Sequence, residues 1–380
     1  MKDKFIIILF LFSTFSLFGQ APKFNTVKKV TIQSKFLNES RDIYIGVPNN
    51  YDSTLEYSTL YVLDAETRFD ITYALSKELF QNHDEVPELI VVGIPQIDWT
   101  HRKMDMTFTS TNIDGRGDID TTGMMNDSVT GGGLTFLKHI EKEIIPYIDD
   151  NYSTNGFNTL VGHSLGGYFC SYILPIQNSF SAFQVYDGSI WYNSADVLQH
   201  LKKEIPYDFS TNVFISAGLF HEGPIKDVQY HLDNIDSLSN MMNNYPNINS
   251  TFKKYPKEDH VSMYMYSVID GLSSLFKDCT YGFIYPTDDV NLAKLKEHYQ
   301  KTSERLGFKF EPNSGEYRWT AYANFTQKKW QDAIDAYKAC YDKYKDDISV
   351  NEELSICYKN IGKEKLNMKY LNKSIELKKK

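Results

Sequence analysis

Cysteine is scarce in this 380-residue chain, and its four copies (Cys170, Cys279, Cys340 and Cys357) lie far apart. That excludes a disulfide scaffold and a cysteine-based zinc site. Cys340 and Cys357 are spaced to face each other across a helical hairpin, as one bridge in an oxidising compartment or as two buried thiols. Basic charge is also short. Lys and Arg number 40 against 49 Asp and Glu, a net charge of −9, so the positive footprint of a nucleic-acid partner is missing. After the N-terminus no apolar run is long enough to cross a bilayer, and no membrane span is expected in the mature chain. Nothing implies a metal or an organic cofactor.

What is present is the composition of a folded globular protein, with 42% hydrophobic and 23% charged residues. The length suits one large domain and a smaller one. Tyr and Phe are plentiful, 27 and 24, which fits a carbohydrate- or aromatic-binding surface and equally fits ordinary packing. Met1-Lys2-Asp3-Lys4, the apolar run Phe5 to Phe18 and a polar release near Gly19-Gln20-Ala21 read as a secretory signal over residues 1–20. A periplasmic or secreted location follows, with an uncleaved anchor as the alternative.

In order along the chain, Val27 to Gln33 and Ile43 to Val47 read as an opening antiparallel pair. Thr59 to Leu63 is a buried strand, Phe69 to Gln81 a helix, and Leu89 to Ile94 another buried strand. That rhythm marks a mainly parallel sheet covered on both faces. Pro95 to Gly133 is polar and without periodicity, a lid or pocket wall. Phe136 to Asp149 is an amphipathic helix. Strands follow at Asn158 to Val161, Ala182 to Tyr186, Asn212 to Gly218 and Ser250 to Tyr255, with helices at Asp227 to Asn243 and Met263 to Phe276. From about Tyr285 the texture turns to charged helices, Leu292 to Leu306 first. Tyr322-Ala323-Asn324-Phe325 then matches Tyr358-Lys359-Asn360-Ile361 at an offset of 36 residues. This resembles a tetratricopeptide-type repeat, with a plain helical extension as the alternative. The expected domains are 21–284 and 285–380, and the tail is a possible surface for a protein partner.

Gly162-His163-Ser164-Leu165-Gly166 has the G-x-S-x-G form of a nucleophile elbow, with strand before and helix after. The outer glycines are expected to give the strand and helix room to approach. A serine hydroxyl needs a base, and the base an orienting acid. His260, just beyond the last strand in Glu258-Asp259-His260-Val261, is the expected base. Glu222, in the loop after the Asn212–Gly218 strand, is the expected acid. Asp227, Asp233 and Asp259 are weaker candidates, and a Ser-His dyad stays open. Backbone N–H groups of Leu165, Ala65 and Glu66 are expected to form the oxyanion hole.

Together with Leu60 to Asp64, Val91 to Ile94 followed by Arg102 and Asp105, and Asp187-Gly188-Ser189-Ile190-Trp191, these residues resemble the putative-esterase branch of the α/β-hydrolases. That branch includes esterase D and the ferric-siderophore esterases. The resemblance spans about residues 25 to 280. It implies an α/β fold with a mainly parallel eight-stranded sheet, helices on both faces, and a small all-α C-terminal region. It also implies a pocket bordered by Arg102, Trp191 and His163. Arg102 either forks onto a substrate group or pairs with Asp105, and Trp191 is either pocket wall or packing. The chain departs from the family where Asp187-Gly188 replaces Ser-Pro, and by one extra residue between Gly218 and Glu222. The expected activity is that of a serine carboxylic-ester hydrolase on an acylated carbohydrate or a siderophore-type ester. Acyl transfer to an alcohol is a variant and peptide cleavage a weaker option. The rival reading is a vestigial hydrolase fold that recruits partners through its helical tail.

Overall fold

In the computed structural model, residues 27–49, 51–81, 86–112, 119, 129–220 and 225–379 are described, with the side chains of 225–227 outside that description. Residues 1–20, read as a signal, lie outside the described residues.

The apolar runs form eight strands: β1 (Lys28–Ser34), β2 (Glu39–Gly46), β3 (Tyr57–Leu63), β4 (Leu89–Ile94), β5 (Thr154–His163), β6 (Ala182–Tyr186), β7 (Thr211–Gly218) and β8 (Ile248–Tyr255). They join in one sheet of order β1-β2-β4-β3-β5-β6-β7-β8. β1 pairs antiparallel with β2, β2 antiparallel with β4, and every later pair is parallel. The central strands are buried along their whole length. Their alternate side chains therefore serve two separate cores. Tyr61, Leu63, Ile90 and Val92 face one, and Leu60, Val62, Leu89 and Val91 face the other. A strand covered on both sides has no polar face, which is why these segments read as continuous apolar runs.

Helices α1 (Ala65–Gln81), α2 (Trp99–Met106), α3 (Gly133–His139), α4 (Ile145–Asn151), α5 (Leu165–Ile173), α6 (Tyr192–Glu204), α7 (Ile225–Asn243) and α8 (Met263–Phe276) complete the domain. Two were not expected. α2 sits inside the segment read as structureless; Asp98 caps it, accepting from the His101 N–H at 2.9 Å. α6 opens on Asn193, Ser194 and Ala195 in left-handed conformation, which breaks the apolar periodicity. A π-turn at Ile140–Ile144 joins α3 to α4. Pro146 follows it without an N–H to donate, and the ladder there steps to a bond from the Ile145 N–H to the Ile140 carbonyl.

The C-terminal region is all helical, with α9 (Leu292–Leu306), α10 (Ser314–Thr326), α11 (Trp330–Tyr344), α12 (Ile348–Asn360) and α13 (Glu364–Lys378). Its core is its own, built on Ala333, Ala336, Tyr337, Leu354 and Tyr358. The geometric repeat is 34 residues: α11 and α13 begin and end at that offset. So do the turn bonds Lys329 N–H to Asn324 O and Lys363 N–H to Tyr358 O. The 36-residue offset between the aromatic tetrads is therefore a coincidence of side chains, not the register of the hairpins. Asn313 and Glu316 form a reciprocal capping box at the start of α10, so Pro312 to Gly315 serve as a helix entry.

After α9 the chain folds back on the large domain. Phe308 and Phe310 pack edge-on against buried Phe157 at 5.1 and 5.3 Å between ring centroids. We expect Phe157→Ala to cost about 3–5 kcal/mol, as for other large aromatic truncations in a core, measured by urea unfolding. A loss under about 1 kcal/mol would show that this seam does not tie the α9 segment down.

Candidate active site

The C-terminal ends of β5, β6, β7 and β8 bring the candidate residues to one sheet edge. Ser164 sits between β5 and α5 with φ 57° and ψ −117°, a strained conformation for a residue with a Cβ. Two glycines make the bend possible. A Cβ on Gly162 would lie 2.1 Å from the Gly166 carbonyl oxygen, and one on Gly167 would lie 2.7 Å from the Gly188 Cα. Gly166 differs from expectation, because a Cβ there meets nothing nearer than 3.5 Å. The elbow is pinned by the Ser164 N–H to the Tyr186 carbonyl at 3.0 Å and by the Ser189 N–H to the Ser164 carbonyl at 2.8 Å. The Ser189 hydroxyl is 3.3 Å from the Ser164 hydroxyl.

His260 lies in the loop between β8 and α8. That loop is held against the end of β7 by the Phe220 N–H to the Glu258 carbonyl at 3.0 Å. The Nδ1 of His260 is 2.6 Å from Oδ2 of Asp187. Asp187 follows β6 directly and is fully buried. Its Oδ1 accepts from the Gly218 N–H at 3.2 Å, and Nε2 of His231, on α7, is also 3.2 Å from it. Burial alone would raise this carboxyl, but the hydrogen bonds and charges of His231 and His260 outweigh it and hold the group well below the usual carboxylate range. Glu222 lies outside the described residues. Sequence reasoning passed over Asp187. The signal was there in Asp187-Gly188 standing where the resemblance calls for Ser-Pro.

His163 is buried beside Ser164 and touches its neighbours through both ring nitrogens. Arg68 Nη2 lies 3.2 Å from Nδ1, and Nε2 is 2.6 Å from the His260 carbonyl oxygen. Burial, with His260 and Arg68 close by, holds its pKa well below the imidazole range. A neutral ring donating from Nε2 and accepting at Nδ1 satisfies both contacts. His163 thus props the His260 loop.

Arg102 forks onto Asp64, with Nε to Oδ1 at 2.6 Å and Nη2 to Oδ2 at 2.8 Å. Its expected alternative partner, Asp105, instead accepts from Arg41 at 2.7 Å, and burial pushes that carboxyl up to about 6. Arg102 Nη2 also reaches the His163 carbonyl at 3.4 Å, and Trp99 covers the guanidinium at 5.0 Å. Asp64 precedes α1 with φ 54° and lies 3.5 Å from the Cβ position of Gly166. The fork therefore sets the first turn of α1, with Ala65 and Glu66, beside the first turn of α5, with Leu165. Orphan N–H donors occur at both helix starts. The Glu66 carboxylate accepts from the Gln96 N–H at 2.9 Å. Trp191 is half-buried and packs against the larger core.

The fold and the strained serine at the strand-to-helix turn define an α/β-hydrolase. The family described as "Putative esterase" matches residues 34–174. It is 26% identical over 173 residues to the siderophore triacetylfusarinine C esterase of Aspergillus fumigatus, covering 39% of this chain and 59% of that protein. Its identity to the protein YjcH of Bacillus subtilis is 27% over 150 residues, 38% of this chain and 54% of that one. The chain thus spans a little over half the length of these curated relatives. The crystal structure of an IroE-like serine hydrolase from Shewanella oneidensis superimposes with a TM-score of 0.69 at 26% identity, covering 84% of this chain and all of that one.

Two outcomes test the geometry of the site. Gly162→Ala should abolish labelling by a fluorophosphonate probe, since its Cβ meets backbone, while Gly166→Ala should label at a rate within about threefold of the unmodified protein. Arg102→Ala leaves the buried Asp64 charge without its partner and should cost about 3–5 kcal/mol. In the milder Arg102→Lys, ester hydrolysis should lose kcat with KM changed less than twofold. A rise in KM alone would instead place the guanidinium on the substrate.

Proposed function

We propose that the chain is a serine carboxylic-ester hydrolase with Ser164 as nucleophile, His260 as general base and Asp187 as the orienting acid. The contact between the His260 Nδ1 and the buried Asp187 carboxylate carries the reading. It fixes the proton on Nδ1 and leaves Nε2 as the acceptor for the serine proton. Ser164 attacks the ester carbonyl, and His260 takes its proton and returns it to the leaving alcohol. Water, deprotonated by the same imidazole, then releases the acyl group. The N–H groups of Leu165 and of the α1 start, Ala65 or Glu66, receive the charge on the carbonyl oxygen. His163 and Arg102 serve as positioning residues. Trp191 is proposed as the pocket wall.

A siderophore-type ester is the favoured substrate class, supported by the likeness to the triacetylfusarinine C esterase; an acylated carbohydrate is second. The proposed boundaries are a signal over 1–20, the hydrolase over 21–284 and a tetratricopeptide-like tail over 285–380. Export to the periplasm or medium goes with that signal.

Fluorophosphonate labelling should vanish in Ser164→Ala, and hydrolysis of a catecholate trilactone and of p-nitrophenyl acetate should vanish with it. Asp187→Asn should keep the label site but lower kcat on the order of 10³–10⁴-fold, because an amide cannot hold the same tautomer. Glu222→Gln should stay within about threefold. Labelling that persists in Ser164→Ala would sink the assignment, and a large loss in Glu222→Gln alone would move the acid there.

A further inference from the structure

A triad needs one imidazole on its carboxylate, and this chain sets two there. His231 reaches Asp187 from α7, on the oxygen that His260 does not use. The ligand-competent atoms of Asp187, His231 and His260 all lie within 4.8 Å of one another. Asp187 is fully buried, and the side chains of His231 and His260 keep 12% and 36% of their exposure, so an approach from solvent passes the two rings and ends on the carboxylate.

We propose that Asp187, His231 and His260 form a binding site for a zinc-like divalent transition ion that switches the nucleophile off. Two nitrogens and one carboxylate are the donor set of such ions, and an open fourth position suits a water ligand. On a tetrahedral ion with ligands at about 2.0–2.1 Å, neighbouring donor atoms stand roughly 3.3 Å apart. The His231–Asp187 separation, 3.2 Å, already has that value. The His260 Nδ1 stands on the other oxygen, Oδ2, at 2.6 Å, so one oxygen serves both rings only after the half-exposed ring, which lies on a loop, or the carboxylate turns within the 4.8 Å that already encloses the three donors.

The proton balance follows from the same contacts. In the metal-free site each neutral ring carries its proton on the nitrogen that faces Asp187, Nδ1 of His260 and Nε2 of His231. The ion takes those nitrogens, and each ring holds its one proton on the other nitrogen instead. No electron is transferred and no net proton is released. Nε2 of His260 then carries N–H and cannot accept the serine proton. Magnesium, which prefers oxygen donors, should not compete.

The proposal concerns the residues of the proposed catalytic site but does not depend on turnover, because the binding test uses protein without the nucleophile. Ser164→Ala protein, titrated with Zn²⁺ against a chromogenic chelator, should bind one equivalent per chain. Adding His231→Gln or His260→Gln should weaken that binding at least tenfold, and excess Mg²⁺ should leave it unchanged. His101, with Asp98 and Glu39 around it, is the surface control, and His101→Gln should have no effect. X-ray absorption on the zinc-loaded protein should show two imidazoles in the first shell, whatever the folding of the variants. Unchanged affinity in both histidine variants, loss in His101→Gln, or a shell without imidazole would overturn the site. Zinc binding with no esterase activity would sink only the hydrolase reading, and activity without zinc binding only this one.

Discussion

A carboxylate withdrawn wholly from water is tolerable only when its negative charge is answered on every side, and Asp187 meets that condition. The Gly218 N–H and the two imidazoles surround it. Each of these partners comes from a different part of the chain: the end of β7, helix α7, and the loop beyond β8. The demand of one buried charge thus fixes the mutual placement of three elements at the sheet edge. Leaving such a group unanswered would cost far more than a neutral polar group in the same place. The Asp64–Arg102 fork does the corresponding work on the other side of the elbow, between α1 and α2.

Most of the fold was legible because its signals are local. The buried strands are continuous apolar runs, and the elbow is a contiguous motif whose glycines have steric causes. Met263 to Phe276 and Leu292 to Leu306 were delimited to the residue by their apolar pattern and by breaks at their ends. Helix α2 escaped because eight residues give barely two turns of periodicity, and α6 because its opening turn is left-handed. The repeat offset was misplaced by two residues. Aromatic side chains that look alike in sequence do not occupy equivalent turns, whereas backbone turn bonds do.

The proposed nucleophile and base could be read from position along the chain, since a residue after a strand lands at that strand's end. The proposed carboxylate partner could not, because several strand ends converge on one edge and topology alone does not choose between them. Asp187 at β6 and a residue after β7 are both within the span of one sheet edge. What singles out Asp187 is its burial and its hydrogen bonds, which no local pattern encodes. Arg102 was harder still. Asp105, its expected partner, is a helical neighbour three residues on, yet Arg41 from β2 takes it, and the guanidinium turns to Asp64.

The four thiols bear on how the protein matures. All are unpaired and buried, and burial pushes those of Cys279 and Cys357 up to about 12 and that of Cys340 to about 11. Thiols held so far from the thiolate form neither exchange nor oxidise readily. The helical tail, where a bridge was conceivable, is closed by packing around Ala333, Tyr337 and Leu354 alone. The fold as described is therefore closed by packing, with its four sulfurs shielded from exchange and not bridged.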